Sequence, residues 1–179
     1  MIERVKIMKV EVVEYKREWP ALYEEEAQKI KNILGDELIE IHHIGSTSVE
    51  NLKAKPIIDI MPVVKDIEKV DKYNDEFIKL GYEPKGEYGI AGRRFFRKGS
   101  TIRTHHVHVF DKSNAHEIQR HLAVRDYLRT HPQDAYEYGE LKSKLAAMYP
   151  SDIEAYCEGK DAFVKELERK ALEWYKGKM

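Results

Sequence analysis

The sequence predicts an α+β fold with an α/β core: a mixed β-sheet flanked by helices over residues 1–112, then a C-terminal helical portion over 113–179, within a single domain. Three observations carry this reading. Two short β-rich runs, ELIEIHHI and KPIIDIMPVV, bracket a polar segment, GSTSVENLKA, with an amphipathic helical stretch on either side. Between Tyr82 and Phe110, turn signals at Pro84-Lys85-Gly86 and Lys98-Gly99-Ser100 separate runs of β character, which predicts antiparallel strands. From Ser113 onward only helical periodicity remains. A chain of 179 residues, 42% of them hydrophobic, can bury one sizeable core but not comfortably two.

Taken in order, VEVVEY alternates like a short edge strand. Trp19, Leu22, Tyr23, Ala27, Ile30, Ile33 and Leu34 then recur at helical spacing behind Pro20, which suits a first helical turn, and Gly35 ends that helix. After the two β-rich runs a second helix is predicted from Asp66 to Leu80, stopped by Gly81. Three helices close the chain, punctuated at His131-Pro132 and Pro150-Ser151, with Ser151 and Glu154 spaced as a capping box. One stripe holds Tyr138, Leu141, Leu145 and Met148, and the last helix holds Ile153, Tyr156, Phe163, Val164, Leu167, Ala171 and Trp174.

Thirty-one Lys and Arg against 32 Asp and Glu leave a formal charge of -1. That balance argues against a nucleic-acid partner, whose affinity rests on displacing counterions with basic side chains. Between Glu87 and Asp111, however, stand Arg93, Arg94, Arg97, Lys98 and Arg103 and no acid. The stretch suits the steering of a small phosphorylated ligand, and equally a hairpin with basic edges. The lone Cys157 cannot form an internal disulfide and reads as a buried thiol in a reducing compartment. No signal peptide is expected in MIERVKIMKV, and PIIDIMPVV, broken by Asp59 and two prolines, is no membrane span, so the chain is expected in the cytoplasm with no membrane partner.

The strongest local signal runs from His42 to Ile60. Gly45 lets a backbone approach an anion, the hydroxyls of Ser46, Thr47 and Ser48 can donate to phosphate oxygens, and Lys55 adds a point charge. On the second β-rich run, Ile58 and Ile60 share one face, which turns Asp59 to the other, where a carboxylate can hold a divalent cation beside a phosphate. The same residues also read as a helix cap and a satisfied internal acid. Further on, His106 and His108 point to one face of a strand. They could bind a transition metal with His43 as a third ligand, act as acid or base, or be a hydrogen-bonded structural pair. Arg125 falls on a half-buried helix face and needs an anion, either Asp126 or Glu137 internally or a ligand phosphate. Lys142 and Arg129 are weaker candidates of the same kind.

HIGSTSVENLKAKPIIDI, THHVHVF and VRDYLRTHPQDAYEYGELKSKLAAMYPSDIEAYCEGK resemble the recurring stretches of the GrpB family, and the likeness covers nearly the whole chain from VEYKREWP onward. That family is similar in fold to the nucleotidyltransferase superfamily, in which a Gly-Ser turn holds nucleotide phosphates and an Asp-x-Asp strand binds metal. The resemblance implies these roles for Gly45, Ser46 and Asp59. Two departures stand out: Met61 replaces the second acid, and the later strand offers His106 and His108 where another acid is expected.

The resemblance thus implies a nucleotidyltransferase-like protein that binds a nucleoside triphosphate with Mg²⁺ or Mn²⁺, less readily Zn²⁺, and moves a nucleotidyl or phosphoryl group to a small acceptor. Ser46 and nearby amides would hold phosphate, Asp59 the cation, Lys55 and Arg103 the transition-state charge, and His106 or His108 would serve as ligand or base. Two alternatives stay open. One is a non-catalytic nucleotide-binding module, the other a metal enzyme of a different class built on His43, His106 and His108. A related domain fused to dephospho-CoA kinases points toward nucleotide-linked metabolism.

Overall fold

The computed structural model describes residues 9–178. The opening residues 1–8, which carry the signal-peptide expectation, lie outside the described residues. Helix α1 (Trp19–Leu34) has Pro20 in its first turn and buries Trp19, Tyr23, Ala27, Ile30 and Leu34 along one side. Five strands follow: β1 (Leu38–Ile44), β2 (Ile58–Val64), β3 (Tyr82–Pro84), β4 (Arg93–Lys98) and β5 (His105–Asp111). They form one sheet in the order β1-β2-β5-β4-β3, parallel only between β2 and β5, and so mixed as predicted.

Side chains alternate across the sheet, and the two faces have different work. Ile58, Ile60, Phe96, Val107 and Val109 join α1 and the short α2 (Asn74–Lys79) in the largest apolar cluster. There Phe77 stacks on Phe96 with ring centroids 4.1 Å apart. The other face carries Ile44, Met61 and Phe110, which pack against Ile118 and Leu122 of α3 (Ala115–Thr130). With α4 (Pro132–Met148) and α5 (Ile153–Lys176), α3 builds a further cluster that grips Val49 and Leu52, just beyond the Gly45 turn. The C-terminal helices therefore cover the polar face of the sheet and hold the loop between β1 and β2.

Several expectations are corrected. VEVVEY is not a sheet strand: Val13 exchanges bonds with Ala54 in a single bridge, and Val10 donates to Pro150, so the segment straps the loop to the helices instead of extending an edge. The helix from Asp66 begins as a 3-10 turn over Ile67–Tyr73, because Asp111 accepts from Ile67 N and Asp66 accepts from Glu68 N, which fixes its entry. The cap of α5 is Asp152, whose carboxylate accepts from Ala155 N at 3.1 Å, not Ser151. Cys157 is exposed. Its predecessor Tyr156 points inward, and one step along a helix rotates the next side chain away. Met148 and Ile153, at the ends of their stripes, are also exposed.

The basic stretch is not one surface. Arg94 pairs with Asp71 at 2.7 Å, Arg97 with Glu83 at 3.0 Å and Lys98 with buried Glu26 at 2.9 Å. Alternation sends its charges to both sides of β4, where acids meet Arg94, Arg97 and Lys98 and backbone carbonyls meet Arg93. Among the described residues no helix is long and apolar enough to cross a membrane.

A candidate phosphate and cation site

At the end of β1, Gly45 adopts φ 73° and ψ -174°, a conformation nearly closed to residues with a Cβ, and a single 3-10 turn spans Ser46–Ser48. The turn lies against Asp59 because Ile44 and Asp59 are register partners in the antiparallel β1–β2 pair. Asp59 in turn lies beside His106 in the parallel β2–β5 pair. Two strand registers therefore assemble the turn, the carboxylate and the imidazoles.

The geometry is close. His108 Nε2 is 3.0 Å from Asp59 Oδ1, and His106 Nδ1 is 3.5 Å from the same oxygen. One ligand atom from each of the three residues falls within 4.8 Å of the others, which suits a single metal ion. Burial by itself would raise the Asp59 carboxyl, but hydrogen bonds and charge from His106 and His108 outweigh it and hold the group far below the usual carboxylate range. Burial pulls the His108 pKa down, against the hydrogen bond and charge of Asp59 that pull it up.

Beyond Asp59 opens a cavity of about 270 Å³ whose near wall is Gly45, Ser46 and Thr47 and whose far wall is helical: Tyr138 and Lys142 from α4, Tyr156 and Lys160 from α5. Lys55 and His106 complete it. Lys142 is 2% exposed, donates from Nζ to Ser46 Oγ at 2.7 Å and lies over the Tyr138 ring. Burial, helped by the charges of Lys160 and Lys55, drives its pKa well down. Burial and Lys160 also lower Lys55. Among the described residues none of these three lysines has a carboxylate in salt-bridge contact. Among the described residues the hydroxyl of Tyr156 is buried with no hydrogen-bond partner. A buried ammonium without an anion and an orphaned hydroxyl both cost folding free energy, and both are satisfied by an anionic oxygen ligand.

Of the residues singled out in the sequence, Gly45, Ser46, Thr47, Lys55, Asp59 and His106 line this cavity, and His108 stands behind Asp59. Others are elsewhere. His43 pairs with Ile60 in the register and so faces the opposite side of the sheet from Asp59. There it stacks on Tyr23 at 4.7 Å and bonds Thr47 Oγ1 at 2.9 Å, so it is no third ligand to this group. Arg103 lies in a different hollow, beside Ile102 and Pro56, with its guanidinium on the Gly99 carbonyl. Ser48 Oγ donates to the Gly45 carbonyl at 2.5 Å, closing its own turn. Arg125 bonds Asp126 at 2.8 Å and the His43 carbonyl at 3.2 Å, the internal pairing. Tyr138 and Tyr156 were read from the sequence only as apolar stripe positions, Lys160 was not singled out, and Lys142 stood only among the weaker candidates. A Lys on the apolar stripe of α4, next to Leu141 and four residues after Tyr138, was the available signal.

Burial lowers His43 to about 4. In the unfolded chain the same group takes a proton near pH ~6.5. Between those values the unfolded chain binds more protons, so stability rises with pH through the window and falls on acidification across it. Melting temperature against pH is expected to show that slope, and His43→Phe to make it shallower. Some slope persists because burial also lowers His121 to about 4.

The family model described as GrpB protein matches residues 9–170. YqkA of Bacillus subtilis (strain 168) is 49% identical over 170 residues, covering 95% of this chain and 49% of that protein, so the chain spans about half the length of that relative. The crystal structure of conserved protein GrpB from Enterococcus faecalis superposes with a TM-score of 0.90 at 51% identity, over 92% of this chain and 99% of that one. Cid1 in complex with its short product ApU superposes with a TM-score of 0.50 at 14% identity, over 72% of this chain and 41% of that one, a likeness of nucleotidyltransferase-type fold alone. By sequence along nearly its whole length and by the same arrangement of mixed sheet and helices, the chain belongs to the GrpB family.

Proposed function

We propose that the chain binds a nucleoside triphosphate together with a divalent cation and transfers a nucleotidyl or phosphoryl group to a small acceptor. The observation that carries the reading is Lys142: an ammonium 2% exposed, bonded to Ser46 and, among the described residues, with no carboxylate in contact. Phosphate oxygens are the anion this cavity suits. Lys142, Lys160 and Lys55 supply charge, the Tyr156 hydroxyl and Ser46 supply donors, and Gly45 allows close approach of the turn.

The donor set near Asp59 fits a cation. One carboxylate with imidazole nitrogens suits a borderline ion such as Mn²⁺ better than Mg²⁺, which prefers oxygen throughout. A cation held at Asp59, beside the imidazoles, would neutralise charge on the phosphates. The fold likeness to Cid1, seen in complex with its short product ApU, supports group transfer as the reaction class.

A second reading, a nucleotide-binding module without catalysis, is favoured by Met61. It stands where a second carboxylate would complete an Asp-x-Asp pair, and it is fully buried against Ile44 and Phe110. Without that acid, a two-ion clamp has one side only. The experiment is calorimetric titration with nucleoside triphosphates plus Mn²⁺, followed by mass-spectrometric search for pyrophosphate or a nucleoside diphosphate. Both readings expect saturable binding, weakened about 100-fold by Asp59→Asn. Only transfer or hydrolysis products establish the first, and absence of binding would sink both.

A further inference from the structure

We infer that His108 is a positioning residue and not a metal ligand, so that the cation is held by Asp59 and His106 on a single-ion centre selective for Mn²⁺-like ions. The inference deepens the cation half of the function proposed above and rests on it. The observation is Arg93. Its guanidinium donates through Nε to the Glu87 carbonyl at 3.1 Å and through one terminal nitrogen to the Tyr88 carbonyl at 2.7 Å. The other terminal nitrogen lies 3.2 Å from His108 Nδ1, and the group sits over the Phe95 ring.

A guanidinium has only donors and keeps its proton. His108 Nδ1 must therefore present its lone pair to Arg93. A neutral imidazole carries one N–H, and with Nδ1 accepting, that hydrogen is on Nε2, 3.0 Å from Asp59 Oδ1. Both ring nitrogens are thus committed. To ligate through Nε2, the ring would have to move its hydrogen to Nδ1 and set it against the N–H of Arg93. To ligate through Nδ1, it would have to displace Arg93 from a place fixed by two backbone carbonyls. His106 carries no such lock: its Nδ1 stands 3.5 Å from Asp59 Oδ1.

The result is a chain of donors, Arg93 to His108 to Asp59, that fixes the orientation of a carboxylate. Oδ1 is held by His108, while Oδ2 faces the turn, 2.7 Å from where a Cβ on Gly45 would stand. The free oxygen is therefore aimed at the phosphate side of the cavity. Hydrogen-bonded support of this kind behind a ligating carboxylate sets both its direction and the affinity of the metal. One carboxylate and one imidazole, with phosphate oxygens completing the shell, make the Mn²⁺ preference a property of His106.

The test uses the full chain and Mn²⁺ alone, counting free ion by electron paramagnetic resonance. The expected result is one saturable site, weakened about 10-fold or more by His106→Gln. His108→Leu should lose roughly 10- to 100-fold, as loss of a supporting hydrogen bond does, while His108→Gln, which keeps a donor for Asp59, should recover most of that loss. A two-bond ¹H–¹⁵N spectrum should show His108 as the Nε2–H tautomer without metal, and unchanged on adding Zn²⁺. His108→Gln binding as poorly as His108→Leu, or a Zn²⁺-induced loss of the Nε2 hydrogen, would overturn the assignment. So would absence of saturable Mn²⁺ binding. The phosphate half is read separately, by the thermal shift that inorganic pyrophosphate produces without metal, so failure of one does not pass for failure of the other.

Discussion

Lys142→Met is expected to make the free protein more stable and to abolish its response to phosphate. An ammonium buried to 2% exposure, with no carboxylate in contact among the described residues, carries a desolvation cost that an apolar side chain of similar length removes. The loss of one hydrogen bond to Ser46 offsets part of the gain. The net expectation is about 1 kcal/mol or more of stabilisation, read as a rise in melting temperature of roughly 2–4 °C for a chain of this size.

The pH dependence carries the same sign. Burial depresses the Lys142 pKa in the fold, while the unfolded chain holds that proton up to about pH 10.4. Between the two, the unfolded state binds more protons and stability rises with pH, a contribution that Lys142→Met removes. The measurement is a pair of melting curves, with and without pyrophosphate, across pH. The wild type should gain from pyrophosphate by mass action and the variant should not. A variant that is less stable and still responds would mean that Lys142 is a structural residue and that the anion sits elsewhere.

Gly45→Ala is expected to cost about 2–4 kcal/mol. Two effects add. At φ 73° and ψ -174° the backbone occupies a region essentially reserved for glycine. The new Cβ would also stand 2.7 Å from Asp59 Oδ2, and that oxygen cannot retreat freely because Oδ1 is held by His108. Gly86→Ala is the control: its φ is +61° and nothing lies within 4 Å of the added carbon, so only backbone strain remains, a loss of about 1–2 kcal/mol. Melting temperature and Mn²⁺ affinity should fall together in Gly45→Ala, and Mn²⁺ affinity should stay unchanged in Gly86→Ala. Equal effects in the two variants would show that the approach of Gly45 to Asp59 does not matter.

These predictions mark the line between what residue order carries and what packing adds. Strand alternation in KPIIDIMPVV and THHVHVF is local, so the common orientation of Asp59 with Met61, and of His106 with His108, could be read directly. The Gly-Ser-Thr-Ser turn announced itself by glycine and hydroxyls in a row. His43 was misplaced for the opposite reason. Its face depends on the β1–β2 register, and a shift of one residue in pairing moves a side chain to the other side of the sheet. Arg103 was misplaced because a loop, not the strand, sets its direction.

Composition and periodicity were sufficient for the α+β class, the strand runs and the three closing helices, since each depends on neighbours within a few residues. The cavity was not contained in any such window. Lys142 meets Ser46 across 96 positions, and Tyr156 and Lys160 arrive from a separate helix. Their stripes look like ordinary core because burial and helical spacing are the same for a packing residue and for one that waits for an anion. Only when α4 and α5 close over the polar face of the sheet does the ammonium lose water without gaining a carboxylate among the described residues. That uncompensated charge, a product of long-range packing, is what turns a phosphate-friendly turn into a site.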